Sequence, residues 1–335
     1  MTRRPTIKEV SKLAGVSFKT VSRVLNNEKN VSDETRRRVE QVVAELNFRP
    51  SLAARTLAGR KSFQIALLYD NPSPYYVYHL LAGAQGACAE LGYRLLTQPV
   101  DACSPGLVQD VIGLIDETHL DGLILSPPVG EAAPLLDELD ARGLSYVRIQ
   151  PGIRPGEGRS VTIDDAAAAR ELTGHLISLG HRAIACITGP DSHASSLERV
   201  EGYRAALAAN GVAFDPGLVV AGDYSFQSGR AAARALLDRP DRPGAIFAGN
   251  DDMAAGVLAV AHELEIDVPG ALSIAGFDDS DLAAAVWPPL TTIHQPVSEL
   301  ARTAVELLLT PDRASDRITL DYELIVRAST GRPKS

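Results

Sequence analysis

The chain has 335 residues, 45% of them hydrophobic and 22% charged, with a formal net charge of −9. This length predicts two or three domains with an ample core. No run of about 18 uncharged apolar residues suggests a membrane span, and no apolar segment of a secretory signal follows the basic N-terminus. Three widely spaced cysteines suggest neither a disulfide framework nor a CxxC metal site, and favour a reducing cytoplasm.

The charge is unevenly distributed along the chain. Residues 1–61 contain 14 Lys and Arg against 6 Asp and Glu, a net charge of +8, so the acidic excess lies entirely in the rest. A basic segment on an acidic protein predicts that residues 1–61 meet a polyanion and that the larger part does not.

The first 50 residues are predicted to form three short helices. Thr6 can cap the first, with Glu9 completing a capping box. Gly15 then marks a turn, Ser17 can cap the second helix, and Ser32 can cap the third. The apolar side chains at helical spacing are Ile7, Val10, Leu13, Ala14, Val39, Val42, Val43 and Leu46. Two short helices joined by a glycine turn, with a third across them, form a helix-turn-helix.

At 100° per residue the second helix divides into two faces. The face predicted to be buried holds Val21, Val24 and Leu25. The opposite face holds Lys19, Ser22, Arg23 and Asn26, with Ser17 and Phe18 at its N-terminal end. Arg23 can fork onto a guanine, and Phe18 can pack on a thymine methyl. The alternative is an ordinary three-helix cap with a solvated basic face.

A short segment bounded by proline and glycine joins this region to the rest. Pro50 ends the third helix, Ser51 can cap an eight-residue helix, and Gly59 can end it. A helix of this length is marginal alone and needs a partner, protein or DNA. A flexible linker is the alternative.

From residue 62 onward, apolar strand-like runs alternate with helical stretches. Strands are expected in QIALLYD, YRLLTQ, DGLILSP, SYVRIQP, SVTID, AIACITG, GLVVAGD, AIFAGND and LSIAGFDD. This alternation predicts parallel sheets covered by helices on both faces. About ten strands are more than one open sheet usually carries, so two doubly wound subdomains are expected.

Polar side chains collect after these strands, where open parallel sheets bind ligands. They are Asp70, Asn71, Ser73, Ser126, Gln150, Asp164, Asp165, Asn250, Asp251, Asp278 and Asp279. The side chains that can offer ring faces to a sugar are Tyr75, Tyr76, Tyr78 and Tyr224. Carboxylates and amides in one cleft suit a neutral polyhydroxyl ligand. Alternatively, these residues cap helices, as Asp165 can before AAAARELTGHL, and the tyrosines belong to the core or a dimer interface.

The segment PTIKEVSKLAGVSFKTVSRVLNNEKNVSDETRRRVEQVVAELNFRPSLAARTLAGRKS resembles the DNA-binding headpiece and hinge of the lac repressor (LacI/GalR) family. The resemblance implies a headpiece over residues 1–50 and a hinge helix over 51–61, with Leu57 as a minor-groove wedge. The predicted DNA-binding residues are Thr6, Ser17, Phe18, Lys19, Thr20, Ser22, Arg23, Asn26, Ser51, Ala54 and Leu57. Ser51 departs from the family's usual Asn, but either residue can cap a helix.

Three further stretches, DDAAAARELTGHLISLGHRAIACITGP, SLERVEGY and AIFAGNDDMAAGVLAVAHELEIDVPGALSIAGFDDSDLAAAVWPPLTTIHQP, resemble the family's effector domain, which is similar to periplasmic sugar-binding proteins. The resemblance implies this domain over residues 62–335. Its N-subdomain would be about 62–161 and 293–321, and its C-subdomain about 162–292 and 322–335.

The resemblance also implies that Arg199 clamps the effector and that Gln295 is a hinge contact. The full predicted effector-binding set is Asn71, Ser73, Tyr75, Tyr76, Ser126, Gln150, Asp165, Arg199, Tyr224, Asn250, Asp278 and Gln295. The loop DNPSPYYVYHL is richer in tyrosine than the common family pattern, so specificity cannot be copied from a relative.

The implied function is a repressor of sugar-catabolic genes. A sugar or glycoside effector would change its affinity for palindromic operator DNA. A purine-type corepressor-dependent regulator, a transport protein and an α/β sugar-processing enzyme are the alternatives. No GxxxxGK[ST], GxGxxG or GxSxG motif is present, so neither enzymatic activity nor a cofactor or metal is expected. Without the leucine heptads of the family's tetramers, the chain is expected to be a cytoplasmic, nucleoid-associated homodimer.

Overall fold

A computed structural model describes residues 5–25, 30–46, 48, 61–154, 157–310 and 315–333. The contacts within the chain divide it into two compact units, with the division between Phe63 and Gln64. We call the first unit the head and the second the body.

In its described residues the head contains the three predicted helices. Its helices are α1 (Ile7–Ala14), α2 (Phe18–Leu25) and α3 (Asp33–Glu45). Thr6 and Glu9 form the expected capping box: the Glu9 carboxylate accepts from the Thr6 amide at 2.6 Å, and the Thr6 hydroxyl accepts from the Glu9 amide at 3.4 Å. Gly15 has φ 63°, the left-handed conformation that lets α1 end in a tight turn.

The head's core differs at several positions from the predicted one. Val10, Ala14, Val21, Val24, Val39 and Val42 are buried, Val43 is half-buried, and Leu13 is 62% exposed. The prediction for Leu13 is therefore wrong, because two positions one turn apart are enough to pack so short a helix against its neighbours. Leu25 is only half-buried, and Phe48, which follows α3, is buried in the core.

The body alternates strands and helices along the chain. Within the described residues the strands are β1 (Gln64–Tyr69), β2 (Arg94–Pro99), β3 (Leu123–Leu125), β4 (Tyr146–Ile149), β5 (Arg159–Thr162), β6 (Ile184–Thr188), β7 (Val219–Ala221), β8 (Ala245–Ala248), β9 (Ser273–Ala275), β10 (Thr292–His294), β11 (Arg317–Thr319) and β12 (Glu323–Ile325). The helices are α4 (Pro74–Glu90), α5 (Leu107–Thr118), α6 (Ala133–Ala141), α7 (Asp165–Ser178), α8 (Ala194–Ala209), α9 (Phe226–Leu237), α10 (Asp251–Glu263), α11 (Asp281–Ala285) and α12 (Val297–Leu309). Short 3₁₀ turns lie at Val129–Glu131 and Pro216–Leu218.

The strands form two parallel sheets, which confirms the predicted fold class. The first has the order β11-β5-β4-β3-β1-β2 and the second the order β7-β6-β8-β9. We call the first sheet with α4, α5, α6 and α12 the N-lobe, and the second sheet with α7 to α11 the C-lobe. Strands β10 and β12 form an antiparallel pair that contacts α7. Neither these two strands nor β11 had been predicted.

Burial along the strands explains why both sheets are covered on both faces. In β1, Ile65 and Leu67 belong to one core cluster, whereas Ala66 and Leu68 belong to another. Successive side chains of a strand point to opposite faces, so a continuous apolar run needs helices on each side. The chain passes between the lobes after β5, between β10 and α12, and between β11 and β12. The carboxyl ends of the strands therefore meet a cleft between the lobes. No helix in the described parts of the chain is long and apolar enough to cross a membrane.

Candidate functional site

The exposed face of α2 is the first candidate site. Val21 and Val24 are buried beneath it, while Lys19 is exposed and Phe18 is 66% exposed. Ser22 and Arg23 are partly exposed on the same face. The helix therefore presents cations, hydroxyls and one aromatic ring to the outside, which suits the major groove of DNA.

The start of α2 is fixed by a local cap. The Ser17 hydroxyl accepts from the Thr20 amide at 3.1 Å and lies 2.9 Å from the Thr20 hydroxyl. Thr6 occupies the equivalent position on α1, where its hydroxyl is already engaged with Glu9. The other residues predicted to bind DNA lie outside the described residues: Asn26, Ser51, Ala54 and Leu57.

The second candidate site is a cavity in the cleft between the lobes of the body. Nine of the twelve residues predicted to bind the effector line it: Asn71, Ser73, Tyr76, Gln150, Arg199, Tyr224, Asn250, Asp278 and Gln295. Most of them follow a strand, as the topology of parallel sheets requires. The cavity volume is about 20 Å³, close to the space that a single water needs.

Arg199 is the central charged group of this cavity, which we call the interlobe cavity. Its Nε donates to the Asp165 carboxylate at 2.8 Å and its Nη1 donates to the Gly249 carbonyl at 2.6 Å. The guanidinium carbon lies 3.6 Å from the centre of the Phe277 ring, and Nη1 lies 4.0 Å from Asp278. Arg199 is therefore held from several sides in a fixed orientation.

Burial dominates the electrostatics of the acidic side chains around Arg199. It raises the pKa of Asp165, an effect that the Arg199 charge partly opposes. Burial likewise raises the pKa of Asp278 well above its ordinary value. Both shifts arise because a carboxylate removed from water loses its hydration, and the ion pair with Arg199 compensates only in part.

Backbone conformation at the cavity is unusual. Gln150, Tyr224 and Asp278 have φ values of 47°, 67° and 115°. Side chains other than glycine rarely adopt this region, and where they do they often belong to functional sites. Gln150 donates to Asp165, and Gln295 donates to Asp278, so the strained backbone is held by buried hydrogen bonds.

Asn250 lines the cavity on the C-lobe side, and its neighbour Asp251 lies behind it. The Asn250 side chain accepts from the Met253 amide and donates to the Tyr224 carbonyl, each at 2.9 Å. Asp251 accepts from the Ser280 amide at 2.8 Å and from the Thr292 hydroxyl at 2.7 Å. Burial raises the pKa of Asp251 to about 7. Asp251 does not line the cavity but positions the loop that carries Asp278.

Three residues predicted to bind the effector do not line the cavity. Tyr75 precedes Tyr76 on α4, and successive helical residues point about 100° apart, so only Tyr76 faces inward. Ser126 is fully buried, and its neighbour Pro127 lines the cavity instead. Asp165 lies behind Arg199 as its ion-pair partner.

Two further expectations are corrected by the structure. Asp164, and not Asp165, is the N-cap of α7, since its side chain accepts from the Ala167 amide at 2.8 Å. Tyr78 is 64% exposed on α4 and offers no ring face to the cavity, because it lies too far around the helix from Tyr76.

Sequence reasoning missed three residues that line the cavity: Pro127, His193 and Ser195. Burial, together with the Arg199 charge, lowers the pKa of His193 to about 4, so the ring is neutral near pH 7. Its ring packs edge-on against Tyr224, with centroids 5.2 Å apart. The available signal was the loop after β6, a strand end that the sequence analysis did not consider as a ligand contact.

Several buried polar atoms at the cavity have no hydrogen-bond partner among the described residues. They are the Tyr76 and Tyr224 hydroxyls, the His193 Nε2 and the Gln295 Oε1. Buried polar atoms are nearly always satisfied, so these point to a ligand that supplies donors and acceptors. In the described parts of the chain, no cluster of three or more His, Cys, Asp or Glu side chains could hold a metal ion.

The chain is similar to known proteins along nearly its whole length. Residues 6–51 match the family model for bacterial regulatory proteins of the lacI family, and residues 173–330 match a periplasmic binding protein-like domain. The ribose operon repressor of Escherichia coli (strain K12) is 36% identical, covering 97% of this chain and 99% of that protein. The chain belongs to the LacI family.

Solved structures of LacI-family proteins share its fold. A complex of the transcriptional regulator CelR with cellobiose has a TM-score of 0.73 and 33% identity, covering 97% of this chain and 100% of that one. The Lac repressor dimer bound to operator and the anti-inducer ONPF has a TM-score of 0.80 and 28% identity, and the match covers 98% of this chain and 100% of that one. This LacI-family chain is a transcriptional regulator and not an enzyme, as predicted.

Proposed function

We propose that this LacI-family protein is a repressor of sugar-catabolic genes whose operator affinity is changed by a sugar. The observation that carries the proposal is one chain holding both an exposed, cationic α2 face and an interlobe cavity with unsatisfied buried polar atoms. A ribose operon repressor among the relatives and a cellobiose complex among the similar structures support a sugar as the effector.

The head supplies the DNA contacts. Lys19 and Arg23 contact base edges or phosphates of a half-site, and Phe18 packs against a base methyl. Residues 51–61, most of which lie outside the described residues, form the hinge, with Leu57 entering the minor groove. A palindromic operator then requires two heads, and we assign the protein a homodimer. The similar Lac repressor structure, a dimer bound to operator, supports this assembly. Such a regulator works in the cytoplasm, associated with the nucleoid.

The body supplies the switch. About 20 Å³ is far too little for a sugar, so an effector can enter only when the lobes move relative to each other. A ligand that prefers one arrangement of the lobes shifts the population toward it, and the affinity for DNA changes by the same free energy as the affinity for the ligand.

The test uses the purified full-length protein. Duplexes that it binds are selected from a random DNA pool, and the best site is titrated with and without sugars. We expect a palindromic site, a mass of twice the 35.6 kDa chain in solution, and at least one sugar that lowers operator affinity tenfold or more. Failure to select any preferred sequence, or a site that no sugar affects, would contradict the proposal.

A further inference from the structure

The loop that follows β4 contacts both the interlobe cavity and the C-lobe. We call residues 150–158 the β4 loop; residues 155 and 156 lie outside the described residues. We propose that Arg148 and Glu131 are positioning residues of the interlobe cavity, which hold the β4 loop in the shape that places Gly152 against Ala194 of the C-lobe. This inference rests on the proposed function in one respect, since that function assigns the cavity to an effector.

Arg148 is a charged residue at an interior position of the first sheet. Strand β4 lies between β3 and β5, where Arg148 pairs with Leu125 and Ser160, and the residue is only 1% exposed. Arginine is rarely buried without strong polar partners, because removing its charge from water is costly. A charge that conflicts with the apolar pattern of an interior strand is expected at functional sites, so the partners of Arg148 show what it does.

The guanidinium of Arg148 binds the backbone of the β4 loop. Its Nη1 donates to the Ile153 carbonyl at 2.8 Å, and its Nη2 donates to the carbonyls of Arg154 and Glu157 at 2.7 and 2.8 Å. Residues 151–158 read PGIRPGEG, with two prolines and three glycines, a composition typical of turns and not of helices or strands. One rigid, planar group thus fixes three points of a segment that has no regular structure of its own.

Glu131 holds the amides at the start of the same loop. Its Oε1 accepts from the Gly152 amide at 2.6 Å, and its Oε2 accepts from the Ile153 amide at 2.8 Å. The stem of Arg148 packs on the 3₁₀ turn that carries Glu131, since a Cβ added to Gly130 would lie 3.6 Å from the Arg148 Cγ. The two charged side chains therefore hold the amides and the carbonyls of the β4 loop together.

The β4 loop meets the C-lobe at Gly152. A Cβ added to this residue would lie 2.0 Å from the Cβ of Ala194, the first residue of α8. His193 and Ser195, on either side of Ala194, line the interlobe cavity. The loop approaches α8 this closely only because residue 152 has no side chain. The position of the loop therefore limits how far the two lobes close around the cavity.

The first experiment changes this contact in the full-length protein. Closure is measured by NMR titration of the histidine rings, because burial between the lobes lowers the pKa of His193 from 6.5 to about 4. Gly152→Ala should hold the lobes apart, hydrate the His193 ring and raise its pKa toward 6.5. Gly152 does not have a positive φ, so alanine fits its backbone and the added carbon meets α8 alone.

A compensating change separates this clash from general damage. Adding Ala194→Gly to Gly152→Ala removes the carbon that clashes, so the pKa of His193 should return to about 4. The matched control is Gly113→Ala on α5, where an added Cβ meets nothing within 4 Å, and it should leave that pKa unchanged. A wild-type pKa already near 6.5, no rise in Gly152→Ala, or no recovery on adding Ala194→Gly would overturn the role given to this contact.

The second experiment tests the positioning role of Arg148. Arg148→Met keeps much of the stem and removes the guanidinium, so peptides covering residues 146–158 should exchange hydrogen faster, and the pKa of His193 in the other lobe should rise. Arg142→Met removes the same charge from the N-lobe surface, where the side chain is 40% exposed, and should change neither quantity. If Arg148→Met lowers the melting temperature but leaves the pKa of His193 at about 4, Arg148 stabilises the N-lobe alone and the inference fails.

Operator binding by the same variants distinguishes this inference from the proposed function. The NMR and exchange measurements need neither DNA nor a sugar, so they decide the positioning role even if the protein prefers no DNA sequence. If both proposals hold, Gly152→Ala should change operator affinity by about fivefold or more, and adding Ala194→Gly should restore it. A raised His193 pKa with unchanged operator affinity would contradict the proposed link between the lobes and DNA, and would leave the positioning role standing.

Discussion

At the scale of single residues, Arg23 on the α2 face can be tested for base reading. Arg23→Ala should lower affinity for the selected operator by about 1–3 kcal/mol, the usual worth of a bidentate contact to guanine. Affinity for random DNA should fall much less. Fluorescence anisotropy with labelled duplexes of both kinds measures the difference.

The matched control for Arg23→Ala is Arg38→Ala, which removes the same charge from the exposed surface of α3. This variant should lower the affinity for the operator and for random DNA to the same extent, because a charge that contacts only phosphates carries no sequence information. Equal losses on both duplexes in Arg23→Ala would show that Arg23 does not read bases.

A second prediction concerns the buried carboxyl of Asp251, which should make the stability of the protein depend on pH. Burial raises its pKa to about 7, above the ordinary value of 3.8. The folded state therefore holds a proton between about pH 4 and pH 7 that the unfolded state releases, and stability falls as pH rises through that window. Asp251→Asn does not titrate, so its melting temperature relative to the wild type should rise by several degrees from pH 4 to pH 7.5.

The control for this measurement is Asp110→Asn, an exposed aspartate in the first turn of α5. In scanning calorimetry, its melting temperature should differ from that of the wild type by the same amount at every pH in this range. A constant difference between Asp251→Asn and wild type at all pH values would mean that Asp251 does not titrate in this window.

The residues of the cavity show what sequence reasoning can and cannot reach. Asn250 and Asp278 were predicted because they follow strands, and chain topology alone brings strand ends together. Asp165 follows a strand in the same way, yet it serves Arg199 and does not face the cavity. The orientation of Asp165 is set by Arg199 on α8, about 34 residues later in the chain. A local sequence pattern cannot predict such a contact.

At the scale of elements, the capping box of α1 can be tested without touching α2. Thr6→Ala removes a side chain that accepts from the Glu9 amide, and loss of such a cap costs about 0.5–2 kcal/mol. Hydrogen exchange of the full chain, followed by mass spectrometry, should show faster exchange in α1 peptides. The control variant Thr6→Ser keeps the hydroxyl, so its α1 peptides should exchange at the wild-type rate. If the α1 peptides of Thr6→Ala are as protected as those of the wild type, the Thr6 cap does not stabilise the helix.

The starts of the head's helices could be predicted from the sequence, for a physical reason. The caps Thr6, Ser17 and Ser32 satisfy backbone groups of the same helix, so their signal is local. Strands β10 and β12 have three residues each and pair across about 30 intervening residues. Neither is long enough to show an alternating pattern, and their pairing depends on the packing of both lobes. Leu13 has helical spacing but is exposed, and Phe48 lies outside the helices but is buried, because helix periodicity does not specify which apolar residues other elements cover.

At the scale of the whole body, the lobes are joined across the cleft by a hydrogen bond between two helix starts. The Ser73 hydroxyl, at the N-cap of α4 in the N-lobe, donates to the Asp252 carboxylate on α10 in the C-lobe at 2.5 Å. Ser73 is 2% exposed and Asp252 8%, so the bond is shielded from water. A hydrogen bond to a charged group in such surroundings contributes about 1.5–3 kcal/mol. That amount is enough to shift an equilibrium between closed and open lobes by tenfold or more.

Asp252→Ala should therefore favour separated lobes. It leaves the Ser73 cap of α4 intact but removes the acceptor across the cleft, so small-angle X-ray scattering of the full chain should give a larger radius of gyration. Sugar association, followed by stopped flow, should become faster, because entry to a cavity of about 20 Å³ needs the open form. Asp110→Ala, which also removes a first-turn aspartate from a helix, should change neither quantity. If Asp252→Ala has the radius of gyration and the sugar association rate of the wild type, other contacts hold the cleft closed. The hydrogen bond from Gln295 to Asp278 would then be the next one to remove.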